Sequence, residues 1–162
     1  MQGLDDLLMF SLALGLFFAI PLFTLIMARL MFEEPVSAAL QPSLMILLAP
    51  FAVGFSAYVT VVGGVDRFAS ALYMLTLFML MVLAGRLRYL AISCPFRLSW
   101  WAVSFPLAAA TVTALRYAAY KPNLFTHSVA LTLLASVTLI LLWMALRTGL
   151  ATLKGNLKAL AG

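Results

Sequence analysis

Five long apolar runs, separated by short polar turns, dominate the pattern of this chain. The clearest is the twenty-residue run from Ser43 to Val62, which contains no charged side chain. A helix rises about 1.5 Å per residue, so a run of this length crosses the roughly 30 Å hydrocarbon core of a bilayer. The runs do not alternate polar and apolar positions, as the strands of a membrane barrel would. The pattern therefore predicts an all-α, polytopic membrane protein.

The predicted spans cover about residues 7–30, 42–62, 68–85, 99–119 and 126–146. They use most of the chain, so we predict a single membrane domain over residues 1–162 with no room for a soluble domain. The connecting turns are short, and this predicts that consecutive spans pack as antiparallel neighbours in the lipid bilayer.

Composition supports the membrane assignment and excludes several functions. Of 162 residues, 65% are hydrophobic and 9% are charged, whereas a soluble domain carries about 25% charged residues. The single cysteine, Cys94, precludes an internal disulfide and is interpreted as a small apolar residue at a span boundary. The single histidine, His127, lies at a span start, so we predict no metal site and no cofactor. No nucleophile, base and acid share a face, and we predict that the chain is not an enzyme.

The charged residues predict an orientation. The net charge is +5, but the cations stand singly at span ends, which argues against a nucleic-acid-binding patch. One side of the membrane would hold three cations and the other seven, and the positive-inside rule places the seven in the cytoplasm. We therefore expect a multi-pass protein of the inner (plasma) membrane, with its N-terminus outside and its C-terminus cytoplasmic. A segment preceding Met1 would explain the outside start. The three cations are Arg67, Arg116 and Lys121, and the seven are Arg29, Arg86, Arg88, Arg97, Arg147, Lys154 and Lys158.

Two spans carry a proline in their interior, Pro50 in the second and Pro106 in the fourth. Proline lacks an N–H, so in a continuous helix the carbonyls of Ile46 and Ala102 would lose their partners and the helix would kink. Two interpretations follow: a packing kink, or spans that line a wet cavity. Gly54, four residues after Pro50, predicts either close helix packing or a pore-lining position.

Aromatic residues lie shortly before the second of these prolines, Pro106. Trp101, Phe105 and Ala109 share one face of a helix by their spacing, and Ser104 belongs to the neighbouring face. Phe105 could plug a narrow pore, or it could be a lipid-facing or core side chain. No acid lies in the middle of any span, which argues against proton relays and cation channels and permits anion passage.

These residues resemble a known family. Residues 99–107, Ser-Trp-Trp-Ala-Val-Ser-Phe-Pro-Leu, look like the penultimate span of the tellurite-resistance/dicarboxylate transporter family, which includes the plant slow-anion-channel proteins. Residues 48–54, Leu-Ala-Pro-Phe-Ala-Val-Gly, resemble the seventh span of that family, and residues 115–117, Leu-Arg-Tyr, also fit.

The resemblance implies a fold of ten helices in five hairpins around a central pore, commonly assembled as trimers. The five spans here resemble helices six to ten, so the second and fourth would line the pore. It implies that Phe105 is the pore gate, that Pro50 and Pro106 are pore kinks, and that Gly54, Trp101, Ser104 and Ala109 line the pore or pack closely.

The implied function is that of the C-terminal half of an anion or C4-dicarboxylate transporter or channel, passing small anions or organic acids. Since half of the pore wall would be missing, a second polypeptide could supply the first five helices. The alternative is a truncated non-transporting membrane protein or an assembly subunit.

Overall fold

Five apolar helices form the chain in the computed structural model, which describes residues 2–34, 41–93 and 96–153, with side chains for 3–34, 41–85 and 96–153. Five spans are long and apolar enough to cross a membrane, the second and fourth by joining a 3₁₀ segment to an α-helix, and the described residues contain no strand. The prediction of an all-α, polytopic membrane protein is therefore confirmed. The helices are α1 (Gln2–Phe32), α2 (Ala49–Val62), α3 (Arg67–Ser93), α4 (Ser104–Tyr120) and α5 (Leu124–Leu153); the 3₁₀ segments η1 (Gln41–Leu48) and η2 (Leu98–Val103) precede α2 and α4.

The second and fourth spans each consist of a 3₁₀ segment followed by an α-helix. The prediction was instead a continuous helix with a kink at its central proline. Pro50 lies in the first turn of α2 and Pro106 in the first turn of α4, where a backbone N–H has no intrahelical acceptor in any case. In a 3₁₀ segment each carbonyl accepts from the residue three positions later, as the Ser104 N–H does from Trp101 O. Neither proline therefore interrupts the middle of an α-helix. Pro21, by contrast, lies inside the continuous α1.

One face of the α2–α4 pair is closed against α3. Phe55 and Tyr73 are fully buried, and Tyr117 stacks on Tyr73 with ring centroids 3.9 Å apart. The Thr113 hydroxyl donates to the carbonyl of Ala52 at 2.9 Å, which joins α4 to α2 inside this core. Buried rings and an interhelical hydrogen bond hold membrane helices together where lipid supplies no hydrophobic drive. We call this cluster the closed face.

In the turn between α2 and α3, a backbone hydrogen bond caps the end of α2 and a side chain caps the start of α3. Gly63 ends α2 with φ +77°, and its N–H donates to Val59 O; glycine adopts this left-handed conformation without a steric penalty. Asp66 begins α3 by accepting the Ala69 N–H at 2.8 Å, and its other oxygen accepts from the Tyr58 hydroxyl at 2.6 Å. The two helices therefore meet at a fixed hairpin.

Helix α1 packs on α2, and most of its side chains are exposed. Helix α4 packs between α5 and α2, and η1 packs against η2. The second and fourth spans are therefore central, and the other three flank them. The predicted boundary residue Cys94 and the tail cations Lys154 and Lys158 lie outside the described residues.

Candidate functional site

A groove lies between α1 and the face of η1 and α2 that is turned away from the closed face, and α4 contributes one residue to each end of it. It consists of two cavities, of about 530 and 370 Å³, that share Ala19, Pro50 and Val53 and so run into each other. We call this surface the groove. Its lining includes Leu12, Gly15, Leu16, Ala19, Phe23, Ile46, Pro50, Val53, Gly54, Ser56, Thr60, Phe105 and Arg116.

Phe105 lies at the apolar end of the groove. It lines the smaller cavity together with Phe23, Ile46 and Pro50, and 57% of its surface is exposed. Its position follows from η2, which turns into α4 one residue before it. The side chain is therefore not part of the packed core. The structure leaves the ring facing the groove.

Arg116 lies at the other end of the groove, three helical turns along α4. Its Nη1 donates to Ser56 O at 3.1 Å and to Thr60 Oγ1 at 2.9 Å. The Thr60 hydroxyl in turn donates to Ser56 O at 2.8 Å. The spacing from Phe105 through Ala109 and Val112 to Arg116 is four, three and four residues, so all four share one face of α4. An apolar ring and a cation thus mark the two ends of one surface.

The predicted site residues are divided between the groove and other places. Pro50 and Gly54 line the groove. A methyl group added at Gly54 would lie 3.7 Å from Leu16 Cδ2, an ordinary contact distance, so α1 does not need a glycine there. Ala109 is half-buried on the Phe105 face of α4. Pro106 is buried below 2% exposure and lines neither cavity.

Trp101 does not share a face with Phe105 and Ala109. Its indole Nε1 donates to Thr148 Oγ1 on α5 at 3.1 Å. The prediction assumed α-helical spacing, but Trp101 lies in η2, where three residues make a turn. Ser104, half-buried, is then one 3₁₀ turn from Trp101, and its hydroxyl donates to Trp101 O at 2.7 Å. Both residues join η2 to its surroundings and lie outside the lining of the groove.

Sequence reasoning did not name Arg116 as a site residue; it used this residue to count charges and as part of the Leu-Arg-Tyr resemblance at residues 115–117. The available signal was its spacing of eleven residues from Phe105, which places both on one helix face. A cation in the last turn of a span usually indicates only favourable alignment with the helix dipole. The fold changes this interpretation, because the side chain reaches across to α2 instead of extending towards the membrane surface.

The groove carries no acidic side chain among its lining residues. The ion pair found between described residues joins Arg29 and Glu33 at the end of α1, at 3.2 Å. In the described part of the chain, no three His, Cys, Asp or Glu side chains lie close enough together to hold a metal ion. The electrostatics of the groove are therefore set by Arg116.

The known proteins that this chain resembles are S-type anion channels of a plant. The chain is 29% identical over 139 residues to the S-type anion channel SLAH3 of Arabidopsis thaliana, covering 86% of this chain and 22% of the relative. It is 26% identical over 131 residues to the guard cell S-type anion channel SLAC1 of the same plant, covering 81% and 23%. The chain thus spans about a quarter of the length of the relatives it matches.

No solved structure matches the chain. The model of one family, described as the voltage-dependent anion channel, matches residues 3–149. This range includes all of α2, α3 and α4 and most of α1 and α5. The sequence match, the five apolar helices and the resemblance of residues 99–107 agree: this chain belongs to the voltage-dependent anion channel family, whose members are channels and not enzymes.

Proposed function

We propose that this chain forms part of the wall of a pathway through which small anions or organic acids, including C4 dicarboxylates, cross the membrane. The observation that carries the proposal is the groove. It places an apolar ring, Phe105, and a cation, Arg116, on one exposed face of a membrane-spanning helix in a member of an anion channel family. In this proposal the groove faces the anion pathway, and the closed face holds α2 and α4 in position.

Phe105 is the proposed gate. An apolar side chain at a constriction excludes water and so opposes the passage of ions. Its ring is exposed to the groove and is not packed into the core. Pro50 and Gly54 form the opposing wall on η1 and α2 without contributing a bulky polar group.

The groove is open on one side, so other helices must complete the wall. The resemblance of this chain to helices six to ten supports a second polypeptide with the first five, and the family supports a trimer of such assemblies. The wall of a pore would also cover the exposed apolar side chains along α1, such as Phe10 and Phe17.

Reconstitution tests the proposal. The purified chain is placed in liposomes containing an anion-sensitive dye, alone or together with the product of a neighbouring reading frame that encodes five spans. We expect no flux from the chain alone and measurable flux from the pair. Robust flux from the chain alone would show that it closes a pore by self-assembly. No flux from a correctly assembled pair would favour a non-transporting subunit.

The proposed orientation has the N-terminus outside and the C-terminus in the cytoplasm of the plasma membrane. It is supported by the unequal distribution of cations, three on one side and seven on the other. Reporter fusions at the two ends of the chain test it. A cytoplasmic N-terminus would overturn both the orientation and the alignment with helices six to ten.

A further inference from the structure

Arg116 is an exposed cation, four residues before the end of α4, and its partners are neutral. Its two hydrogen bonds go to a backbone carbonyl, Ser56 O, and a hydroxyl, Thr60 Oγ1. No described carboxylate lies within ion-pair distance of it. Ionisable side chains in membrane helices usually pair with an opposite charge or with a backbone carbonyl. Arg116 has such a carbonyl in Ser56 O, but no described carboxylate supplies a counter-charge to it.

The hydrogen bonds also fix the direction of the guanidinium. Both bonds use Nη1, and the hydroxyl proton of Thr60 is donated to Ser56 O. Arginine has five N–H donors, so Nε and Nη2 retain their donors with no partner among the described residues. One edge of the group is held by α2 and the other edge remains available to a ligand. A side chain that only joined α4 to α2 would need no formal charge for these neutral acceptors.

The surroundings favour binding of a small anion. Arg116 lines the larger cavity, of about 530 Å³, whose other lining residues are mostly apolar. A charge-assisted hydrogen bond is roughly twice as strong as one between neutral groups. The cavity lining contains one cation and no acid. It can neutralise one negative charge, whereas the second charge of a dianion would be desolvated without a partner.

We propose that Arg116, oriented by Ser56 and Thr60, is the binding site for one singly charged anion at the end of the groove opposite Phe105. The site deepens the proposed function and rests on it for its place in anion passage. Eleven residues of α4 separate the two side chains, or about 16 Å along the helix axis. Arg116 thus binds the anion before or after the proposed gate and takes no part in the gate itself.

Equilibrium binding tests the site without requiring conduction. Chloride binding to the purified chain in an uncharged detergent is followed by broadening of the ³⁵Cl NMR signal, with nitrate and succinate as competitors at matched ionic strength. Arg116→Gln removes the charge, and Arg116→Lys retains it without the forked donors. The matched control is Arg67→Gln, which removes one cation from the same proposed side of the membrane but outside the groove.

The expected result is a loss of chloride affinity of about tenfold or more in Arg116→Gln, since hydrogen bonds to charged groups have this magnitude. Arg116→Lys should bind with intermediate affinity, Arg67→Gln should bind as the unmodified chain does, and nitrate should compete better than succinate. Unchanged broadening in a folded Arg116→Gln chain, or stronger competition by succinate, would overturn the site. If Arg116→Gln does not fold, the chloride affinity of Arg116→Lys tests the site instead. An affinity equal to that of the unmodified chain would overturn the role of the guanidinium donors.

Binding and conduction can then be separated. Chloride binding by the chain together with a non-conducting reconstituted pair would refute the proposed function and leave the site intact. Flux through the pair that is insensitive to Arg116→Gln would refute the site and leave the proposed function intact.

Discussion

The two faces of the α2–α4 pair have different kinds of contact, although both are made of apolar residues on the same helices. On the closed face, Phe55 and Tyr73 have no exposed surface, and Thr113 hydrogen-bonds across to Ala52. On the groove face, Phe105 is 57% exposed and the cross-helix bonds come from Arg116. In lipid, helices associate through packing and interhelical hydrogen bonds. The closed face therefore determines stability, and the groove face is free to serve function.

The largest loss of stability is expected for Phe55→Ala. The ring packs between Tyr73 and Tyr117, with centroids 6.4 and 6.2 Å away. Its removal leaves a cavity in the closed face, and such truncations cost about 3–5 kcal/mol in protein cores. Unfolding titrations in mixed micelles measure the loss. The matched control is Phe78→Ala on α3, whose side chain is 56% exposed and should lose little. Equal losses for the two variants would contradict the distinction between the faces.

A gain in stability is expected for Tyr73→Phe. The Tyr73 hydroxyl is buried and has no hydrogen-bond partner, while its ring stacks on Tyr117 at an interplanar angle of 12°. An unsatisfied buried polar group costs about 1–3 kcal/mol. Removing the oxygen and keeping the ring should therefore raise the free energy of unfolding by about 1 kcal/mol. A loss of stability in the same titration would show that the hydroxyl has a partner in the membrane-embedded protein.

Phe105→Ala should change flux much more than stability. The ring is mostly exposed, and substitutions of exposed side chains usually change stability by less than about 0.5 kcal/mol. In the completed assembly the variant should conduct anions faster, because the apolar obstruction is removed. Flux and unfolding are measured side by side, with Phe78→Ala as the control of similar exposure. Lower stability without a gain in flux would make Phe105 a packing residue.

The smallest effect is expected at Asp66, on the turn outside the spans. Two hydrogen bonds lower the pKa of this carboxyl from its ordinary value of 3.8. The bond from the Ala69 N–H has the larger effect, and the bond from the Tyr58 hydroxyl has the smaller. Its folded-state pKa is therefore below its unfolded value. The stabilisation is complete above the unfolded pKa and is lost as the pH falls through the folded pKa.

Melting temperatures at acid pH test this prediction. Asp66→Asn keeps a side-chain oxygen for the Ala69 N–H but does not titrate, and asparagine is an equally good N-cap. The unmodified chain should lose its small advantage over Asp66→Asn as the pH falls below about 4. Parallel profiles for the two proteins would show that the carboxylate charge makes no contribution.

The number and order of the helices could be predicted from hydropathy, because each span must satisfy its backbone internally and remain apolar for about twenty residues. Their lengths could not. Helices α3 and α5 continue to Ser93 and Leu153, beyond the predicted ends at 85 and 146, because a helix can extend past the apolar region into a basic segment. A hydropathy pattern contains no information about where such a helix ends.

The site was predicted in part. Phe105 is placed on the groove, but Trp101 is directed to α5, because no feature of residues 98–103 distinguishes a 3₁₀ segment from an α-helix. Arg116 was recognised as a charge at a span end and as part of the Leu-Arg-Tyr resemblance at residues 115–117. Its proposed role depends on a contact with Ser56, sixty residues earlier, which only the packing of α4 on α2 creates.

The 3₁₀ segments also determine how the chain fits its membrane. With 14 and 17 residues, α2 and α4 reach about 21 and 25 Å, less than the roughly 30 Å of hydrocarbon they must cross. A 3₁₀ residue advances about 2.0 Å and turns about 20° further than an α-helical residue. Converting the eight residues of η1 to α-helix would shorten that span by about 4 Å. The same change in η2 would rotate its start relative to Phe105. The length of the fourth span and the angle between Trp101 and Phe105 therefore both depend on η2 being a 3₁₀ segment.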